Sequence, residues 1–246
     1  MFAYTPRPDL LAGKTILVTG AGSGLGRAAA LSYAKHGATV LLLGRKLEKL
    51  EATYDAIEAA GGPEPALMTL DFETAREPEY DEVAQIVANE FGKLDGLLHS
   101  AGVAAPIVPL QFVTLTNWNK LLQVNLTAAF ALTRACIPVL QQAAQASLIF
   151  TSAKAGREMR AFGGPYAIAK HGVEALMEIF HQELATTSRI RVNSLNPGPC
   201  ATALRKVVFP AEDPTTLPQP EALMPLYLYL MGDDSLHENG RRFDAQ

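Results

Sequence analysis

Two cysteines and one tryptophan in 246 residues leave no basis for a disulfide framework or a cysteine-built metal centre. Cys136 and Cys200 stand far apart and read as core or loop thiols. The five histidines show no metal-like spacing with carboxylates, so no metal is expected. Charge of neither sign dominates. Against 25 acidic residues stand 21 basic ones, and a net −4 offers no footprint for nucleic acid or an anionic membrane. Arg45, Lys46 and Lys49 come nearest to a basic cluster. No apolar run approaches the ~18 residues of a membrane span, and residues 1–9 lack the basic-then-apolar layout of a secretory leader. A cytoplasmic protein away from membranes is expected. Internal repeats and low-complexity tracts are also missing.

What the chain does have is apolar residues in quantity, 48% against 19% charged, enough for one large core covered on both faces. Strand-like runs at residues 14–18, 39–43, 66–70, 96–99, 147–151 and 190–195 alternate with helical stretches. Those helices are expected at 27–36, 46–60, 80–91, 116–136 and 165–186, with Pro138 near the close of the fourth. Such alternation predicts an α/β fold with a parallel sheet and right-handed crossovers. The turn-rich stretch 210–220 reads as a loop over the sheet edge, since too little chain follows for a second core. Residues 1–246 are therefore expected to form one domain, with a loop at about 203–220 roofing a substrate pocket.

The most informative segment is Thr19-Gly20-Ala21-Gly22-Ser23-Gly24-Leu25-Gly26, between the first strand and the first helix. A helix N-terminus leaves backbone N–H groups unpaired and carries partial positive charge, which suits a diphosphate. Glycine lets the backbone approach that ligand closely. The turn predicts contacts from Gly20, Ser23, Gly24, Leu25 and Gly26.

The form of the dinucleotide is read at the end of the second strand. An acid about 20 residues past the glycines would hold the two ribose hydroxyls of NAD. Here Gly44 is followed by Arg45. A guanidinium can grip a 2′-phosphate that a carboxylate would repel, so NADP(H) is expected. The plainer alternative makes Arg45 an ordinary solvated residue. Asp71, ending the third strand, is a candidate partner for the adenine amino group, with Phe72 beside it.

Tyr166 and Lys170 stand four apart at the start of a predicted helix and so share one face. A phenol of pKa ~10 is a poor proton shuttle near neutrality, and an adjacent ammonium is expected to lower that value. The pair would then exchange a proton with a carbonyl or alcohol oxygen. A Tyr–x–x–x–Lys match taken alone also fits two helix-surface residues.

Taken together, the glycine turn, Asp71, Ala101-Gly102 after the fourth strand, Asn125 in Val124-Asn125-Leu126, Tyr166 with Lys170, and Pro197-Gly198 with Thr202 resemble the single-domain short-chain dehydrogenase/reductases. The resemblance covers residues 10 to 205 in unbroken order. The proline-rich lead and the Phe243-Asp244-Ala245-Gln246 segment are similar to a little-characterised bacterial subgroup of these oxidoreductases. The resemblance implies a Rossmann-type doubly wound sheet of order 3-2-1-4-5-6, with a seventh strand short or absent. It implies Tyr166 as acid/base, with Lys170 tuning that phenol and binding the nicotinamide ribose. Asn125 would anchor a relay water. Ser100, Ala101 and Gly102 would line the cofactor, while Pro197, Gly198 and Thr202 would hold the nicotinamide end, Thr202 through its hydroxyl. A homodimer or homotetramer acting on a small-molecule carbonyl or alcohol is implied as well.

Three departures stand out. The family's catalytic serine, thirteen residues before the tyrosine, falls on Ala153. Ser152 is next door, but a one-residue shift in extended chain turns a side chain to the other face. His99-Ser100 replaces two asparagines, and Arg241–Gln246 replaces a longer apolar ending. Two functions follow. One is an NADP(H)-dependent oxidoreductase for a small, apolar carbonyl or alcohol. The other is an NADP(H)-binding sensor or scaffold with little turnover, because position 153 carries no hydroxyl.

Overall fold

The computed structural model of the chain describes residues 1–246. Its leucine-rich and β-branched runs form seven parallel strands: β1 (Thr15–Thr19), β2 (Thr39–Gly44), β3 (Ala66–Thr69), β4 (Gly96–His99), β5 (Ala146–Thr151), β6 (Ile190–Asn196) and β7 (Arg242–Asp244). Their order in the sheet is β3-β2-β1-β4-β5-β6-β7. The expected Rossmann order is present, and the seventh strand exists but is three residues long. It pairs Arg242 with Ser194, Phe243 with Leu195 and Asp244 with Asn196.

Because side chains alternate along a strand, each central strand feeds two cores. Leu17, Leu41, Leu43, Leu97, Leu148, Phe150 and Val192 point to one face. That face is covered by α3 (Glu77–Phe91), α4 (Leu115–Leu122), α5 (Ala128–Leu140) and α6 (Gly164–Leu184). Ile16, Val18, Val40, Leu42, Leu98, Ile149 and Leu195 point to the other. There they meet α1 (Gly24–Lys35), α2 (Leu47–Ala59) and, after the short α7 (Ala203–Val208), α8 (Met224–Met231).

Two elements differ from the sequence expectation. The single helix anticipated at 116–136 is one continuous run, Leu115–Leu140, but it contains a π-turn at Gln123–Thr127 with Asn125 at its centre. Such a bulge adds a residue to one turn and rotates the side chains after it, a device common at functional sites. By length and composition this run could cross a membrane. Instead Val124, Ala128, Leu132, Cys136 and Leu140 pack into the protein core. The second difference is α8, which follows the expected loop in a stretch where no element was expected. Met224, Leu226, Tyr227, Leu228, Leu230 and Met231 are all buried in the face opposite α5. At roughly 1.5–3 kcal/mol for each fully buried large apolar side chain, α8 is a main support of that face.

The predicted roof loop is partly helical. After α7, two 3₁₀ turns at Pro214–Thr216 and Pro220–Leu223 lead into α8. Arg205 clamps Glu212 with two hydrogen bonds of 2.6 and 2.7 Å and lies over the Phe209 ring at 3.8 Å.

Candidate active site

A parallel sheet brings the C-terminal ends of its strands to one edge, and the candidate residues lie in the turns there and on the helices packed beside them. The β1 turn is built tightly. Thr19 Oγ1 accepts hydrogen bonds from the N–H groups of Ser100 (2.9 Å) and Ala101 (3.0 Å), tying β1 to β4. Gly20 has φ +70°, and a Cβ there would sit 2.9 Å from Ala101 Cα, so only glycine fits. Gly26 packs directly on the Gly20 carbonyl. Ser23 caps α1 in an extended conformation with no side-chain bond to the helix, and no acid occupies the first turn. The N–H groups of Gly24, Leu25 and Gly26 thus lack intrahelical partners. An uncapped, glycine-lined helix end of this kind fits the diphosphate of a dinucleotide.

Arg45 is exposed just past β2 and makes no ion pair within the chain. Asp71 turns one carboxylate oxygen back to the Glu73 N–H at 3.0 Å, leaving the other free. Phe72 lies beside Asp71, as expected. Its ring is buried and packs 5.9 Å from Tyr80, so this position can offer a cofactor its backbone only. Ser100 likewise has a buried hydroxyl without a partner.

Tyr166 and Lys170 occupy the first two turns of α6. The Lys170 ammonium donates to the Thr151 carbonyl at 2.7 Å and lies 5.9 Å from the Tyr166 ring centroid. Burial lowers its pKa to about 8, with Glu174 acting in the opposite sense. Burial also pushes the Tyr166 phenol up to about 12. The expected lowering of the phenol by Lys170 is therefore not a property of the folded chain alone, where burial is the one cause acting on it. Asn125 is fixed by three bonds: its amide donates to the carbonyls of Leu121 and Val103, both at 2.9 Å, and its oxygen accepts from the Val103 N–H at 3.1 Å. The π-turn and the loop after β4 are thereby locked together, with Gly102 packed against the Asn125 amide oxygen.

Ser152, the neighbour of the missing serine, is buried beneath the sheet edge. The β5 alternation that sends Leu148 and Phe150 toward α6 sends Ser152 the same way, where it is buried. Its hydroxyl makes no well-formed hydrogen bond and lies toward the Glu174 carboxylate. Burial raises that carboxyl's pKa, but Ser152, Arg157 and Ser194 together draw it below the usual value. Arg157 donates to Glu174 at 2.8 Å and to Asp244 at 3.0 Å, and Ser194 donates to Glu174 at 2.7 Å. Neither Arg157 nor Glu174 was singled out from sequence. A glutamate on the buried face of α6, one turn past Lys170, was the available sign.

The loop after β6 carries a second unforeseen residue. Gln246 Nε2 donates to the carbonyls of Pro197 (2.6 Å) and Pro199 (2.7 Å). Gly198, at φ +74°, faces this side chain so closely that a Cβ would come within 2.6 Å of Nε2. Thr202 sits beside the glycine turn, its methyl 3.4 Å from where a Gly24 Cβ would be. Its hydroxyl caps α7 by accepting from the Arg205 N–H at 3.2 Å, so the role expected of it is shared with a structural one.

A dinucleotide-type turn, a half-buried tyrosine beside a buried lysine and an asparagine set in a π-turn define a short-chain oxidoreductase framework. The family model for short chain dehydrogenases matches residues 14–213, and the chain belongs to that family. It is 44% identical over 243 residues to the uncharacterized oxidoreductase YciK of Escherichia coli K12, covering 99% of this chain and 96% of that protein. The crystal structure of E. coli YciK superposes with a TM-score of 0.97 at 43% identity, both chains covered in full. A short-chain-dehydrogenase-type protein from E. coli CFT073, crystallised with NADPH, is 44% identical with a TM-score of 0.95, covering 98% of this chain and all of that one.

Proposed function

We propose that this oxidoreductase uses NADP(H) and reduces the carbonyl of a small, apolar substrate, with Tyr166 as the acid. The observation that carries this reading is the placement, along one sheet edge, of the uncapped glycine turn and the Tyr166–Lys170 pair. Arg45, unpaired where an NAD-binding acid would stand, supports the phosphorylated dinucleotide. So does the NADPH bound to the E. coli CFT073 relative.

A bound NADPH would supply the hydride. Ser23 and the first-turn N–H groups of α1 would hold its diphosphate, Arg45 its 2′-phosphate, Asp71 its adenine, and the Pro197–Thr202 loop its nicotinamide end. A phenol of pKa about 12 is fully protonated near neutrality, as a proton donor to a nascent alkoxide must be. The cost falls on the phenolate left behind, and the Lys170 ammonium in the same buried pocket offsets it. Ala153 removes one hydroxyl from carbonyl polarisation, a loss on the order of a hundredfold in rate. Exposed Val207 and Phe209 near the predicted roof support an apolar substrate. Exposed Phe130 on α5 and Ile179 on α6 support pairing of copies through that face.

Ala153 also favours a second reading, an NADP(H)-binding sensor with little turnover. NADPH consumption with aldehydes, ketones and 3-oxoacyl thioesters, run beside Tyr166→Phe, separates the two. Turnover abolished by the substitution supports the reductase; tight NADPH binding without turnover on any substrate supports the sensor.

A further inference from the structure

The residues ahead of β1 are bound to the opposite end of the sequence. Leu10 and Leu11 are buried, and Leu10 packs on Gly232 so closely that a Cβ there would lie 2.8 Å from its Cδ1. Before them, Phe2 and Tyr4 flank the Tyr229 ring of α8, at centroid distances of 5.2 and 5.3 Å. Tyr229 in turn meets Phe243 of β7 at 6.5 Å. All of these rings are half-buried against the core beneath α8. The Tyr4 hydroxyl donates to Asp234 Oδ2 at 2.7 Å, and the Phe2 N–H donates to the Ala245 carbonyl at 3.0 Å. The bond at Ala245 has the longest reach. The Ala245 N–H donates to the Asn196 carbonyl at the end of β6, also at 3.0 Å, so residue 245 is held by β6 on one side and by residue 2 on the other. Gln246, next in the chain, joins no other backbone group through its own backbone. Its place is set by whatever holds Ala245 and by its side-chain amide on the Pro197 and Pro199 carbonyls.

We infer that residues 2–4 are a strap that positions Gln246 and, through it, the loop from Pro197 to Thr202, with Phe2 as the strap's anchor. A short segment with no helix or strand of its own stays ordered only where it is tied down. Here the ties are two aromatic contacts to Tyr229 and two hydrogen bonds, to Asp234 and to Ala245. Aromatic pairs contribute beyond the area they bury, so the Phe2 ring is the part of the strap whose removal should be felt most. Phe2 is a positioning residue: it contacts neither the glycine turn nor Tyr166, and it acts on the loop only by fixing Ala245 and the Phe243–Tyr229 pair beside it. The effect on cofactor affinity rests on the proposed NADP(H) reading, whereas the ordering of the loop does not.

The test titrates NADPH into wild type, Phe2→Ala, Phe2→Leu, Gln246→Ala and the double variant Phe2→Ala/Gln246→Ala, with hydrogen exchange followed at residues 198, 200 and 201. Phe2→Ala should weaken NADPH binding about threefold, because the loop must then be ordered on binding. Exchange in the loop should speed up with it. Phe2→Leu keeps an apolar side chain on Tyr229 and should recover most of both effects. The double variant should be no worse than Gln246→Ala alone, since a strap that acts through that amide has nothing left to position. Losses that add in the double variant would show that Phe2 acts by another route and overturn the inference. So would a Phe2→Ala protein that binds NADPH and exchanges like wild type, whatever its stability to denaturant. Should wild type bind no NADPH, the cofactor reading fails, and the strap is judged by the exchange rates of the same five proteins. If Phe2→Ala does not fold, Tyr4→Phe, which loses only the bond to Asp234, takes its place in the same measurements.

Discussion

The Lys170 ammonium is bonded to the Thr151 carbonyl at 2.7 Å, on the strand end that also carries Ser152 and Ala153. One bond thus locks the lysine to the β5 edge while burial brings its pKa to about 8 from an ordinary value of 10.5. Between those values the unfolded chain holds a proton that the folded chain has lost, so folding stability rises with pH across that window. Below pH 8 both states are protonated and the burial penalty is present in full. Lys170→Met should therefore abolish a rise in stability between pH 8 and 10, read as denaturant midpoints of the ligand-free protein. A parallel rise in both proteins would show that the lysine is not the source.

Arg45 is the residue on which cofactor form depends. Arg45→Asp should weaken NADPH binding by about tenfold to a hundredfold, the range of a charge-assisted hydrogen-bonded contact, while NADH binding improves. Fluorescence titration with both dinucleotides measures this directly. Equal losses for the two would assign Arg45 to the surface rather than to a phosphate.

Most of the sheet was legible in the chain because buried parallel strands are short, apolar and separated by helices with clear periods. β2, β5 and β6 fell within a residue of expectation at both ends. α8 was not legible, because Met224–Met231 is apolar on every side and has no polar face to set a 3.6-residue period. The π-turn was hidden for a different reason: one extra residue in a helical turn leaves the composition unchanged. At the site, Tyr166 and Lys170 announced themselves by spacing, and Asn125 only through the family resemblance. Gln246, Arg157 and Glu174 act through contacts up to 87 residues apart, and no local pattern encodes those.

Ala153 makes a gain-of-function prediction. Its backbone is extended, at φ −158° and ψ 163°, a conformation that serine adopts without strain. Ala153→Ser should raise kcat by about tenfold or more by adding a donor for the carbonyl oxygen. Ser152→Ala, which removes a hydroxyl facing Glu174, should leave kcat within about twofold of wild type. If it is Ser152→Ala that lowers kcat sharply, Ser152 reaches the substrate after all.

Glu174, midway along α6, holds Arg157 and Arg242 at 2.8 and 3.3 Å and so ties β7 to the sheet. Glu174→Ala leaves Arg157 largely buried without its main counter-charge, a change that costs about 3–5 kcal/mol. Because this carboxyl's pKa lies below its unfolded value, its contribution is present at neutral pH and is lost as pH falls through the folded pKa. Denaturation midpoints of wild type and variant should therefore converge in acid. A constant difference at all pH values would mean that the loss comes from packing alone.

Gln246 joins two carbonyls of the loop expected to hold the nicotinamide. Its amide donates to Pro197 and Pro199 on either side of Gly198, so the left-handed turn between them is clamped from outside. Gln246→Ala removes both bonds and opens space beside Gly198, and hydrogen exchange at residues 198, 200 and 201 should speed up. NADPH affinity should fall by about threefold to tenfold, since the ordering now done by Gln246 must be done on binding. Gln246→Glu should be worse than alanine, because a carboxylate directed at two carbonyl oxygens repels them. An alanine variant with unchanged exchange and unchanged affinity would make the clamp a passive contact and leave the loop rigid on its prolines alone.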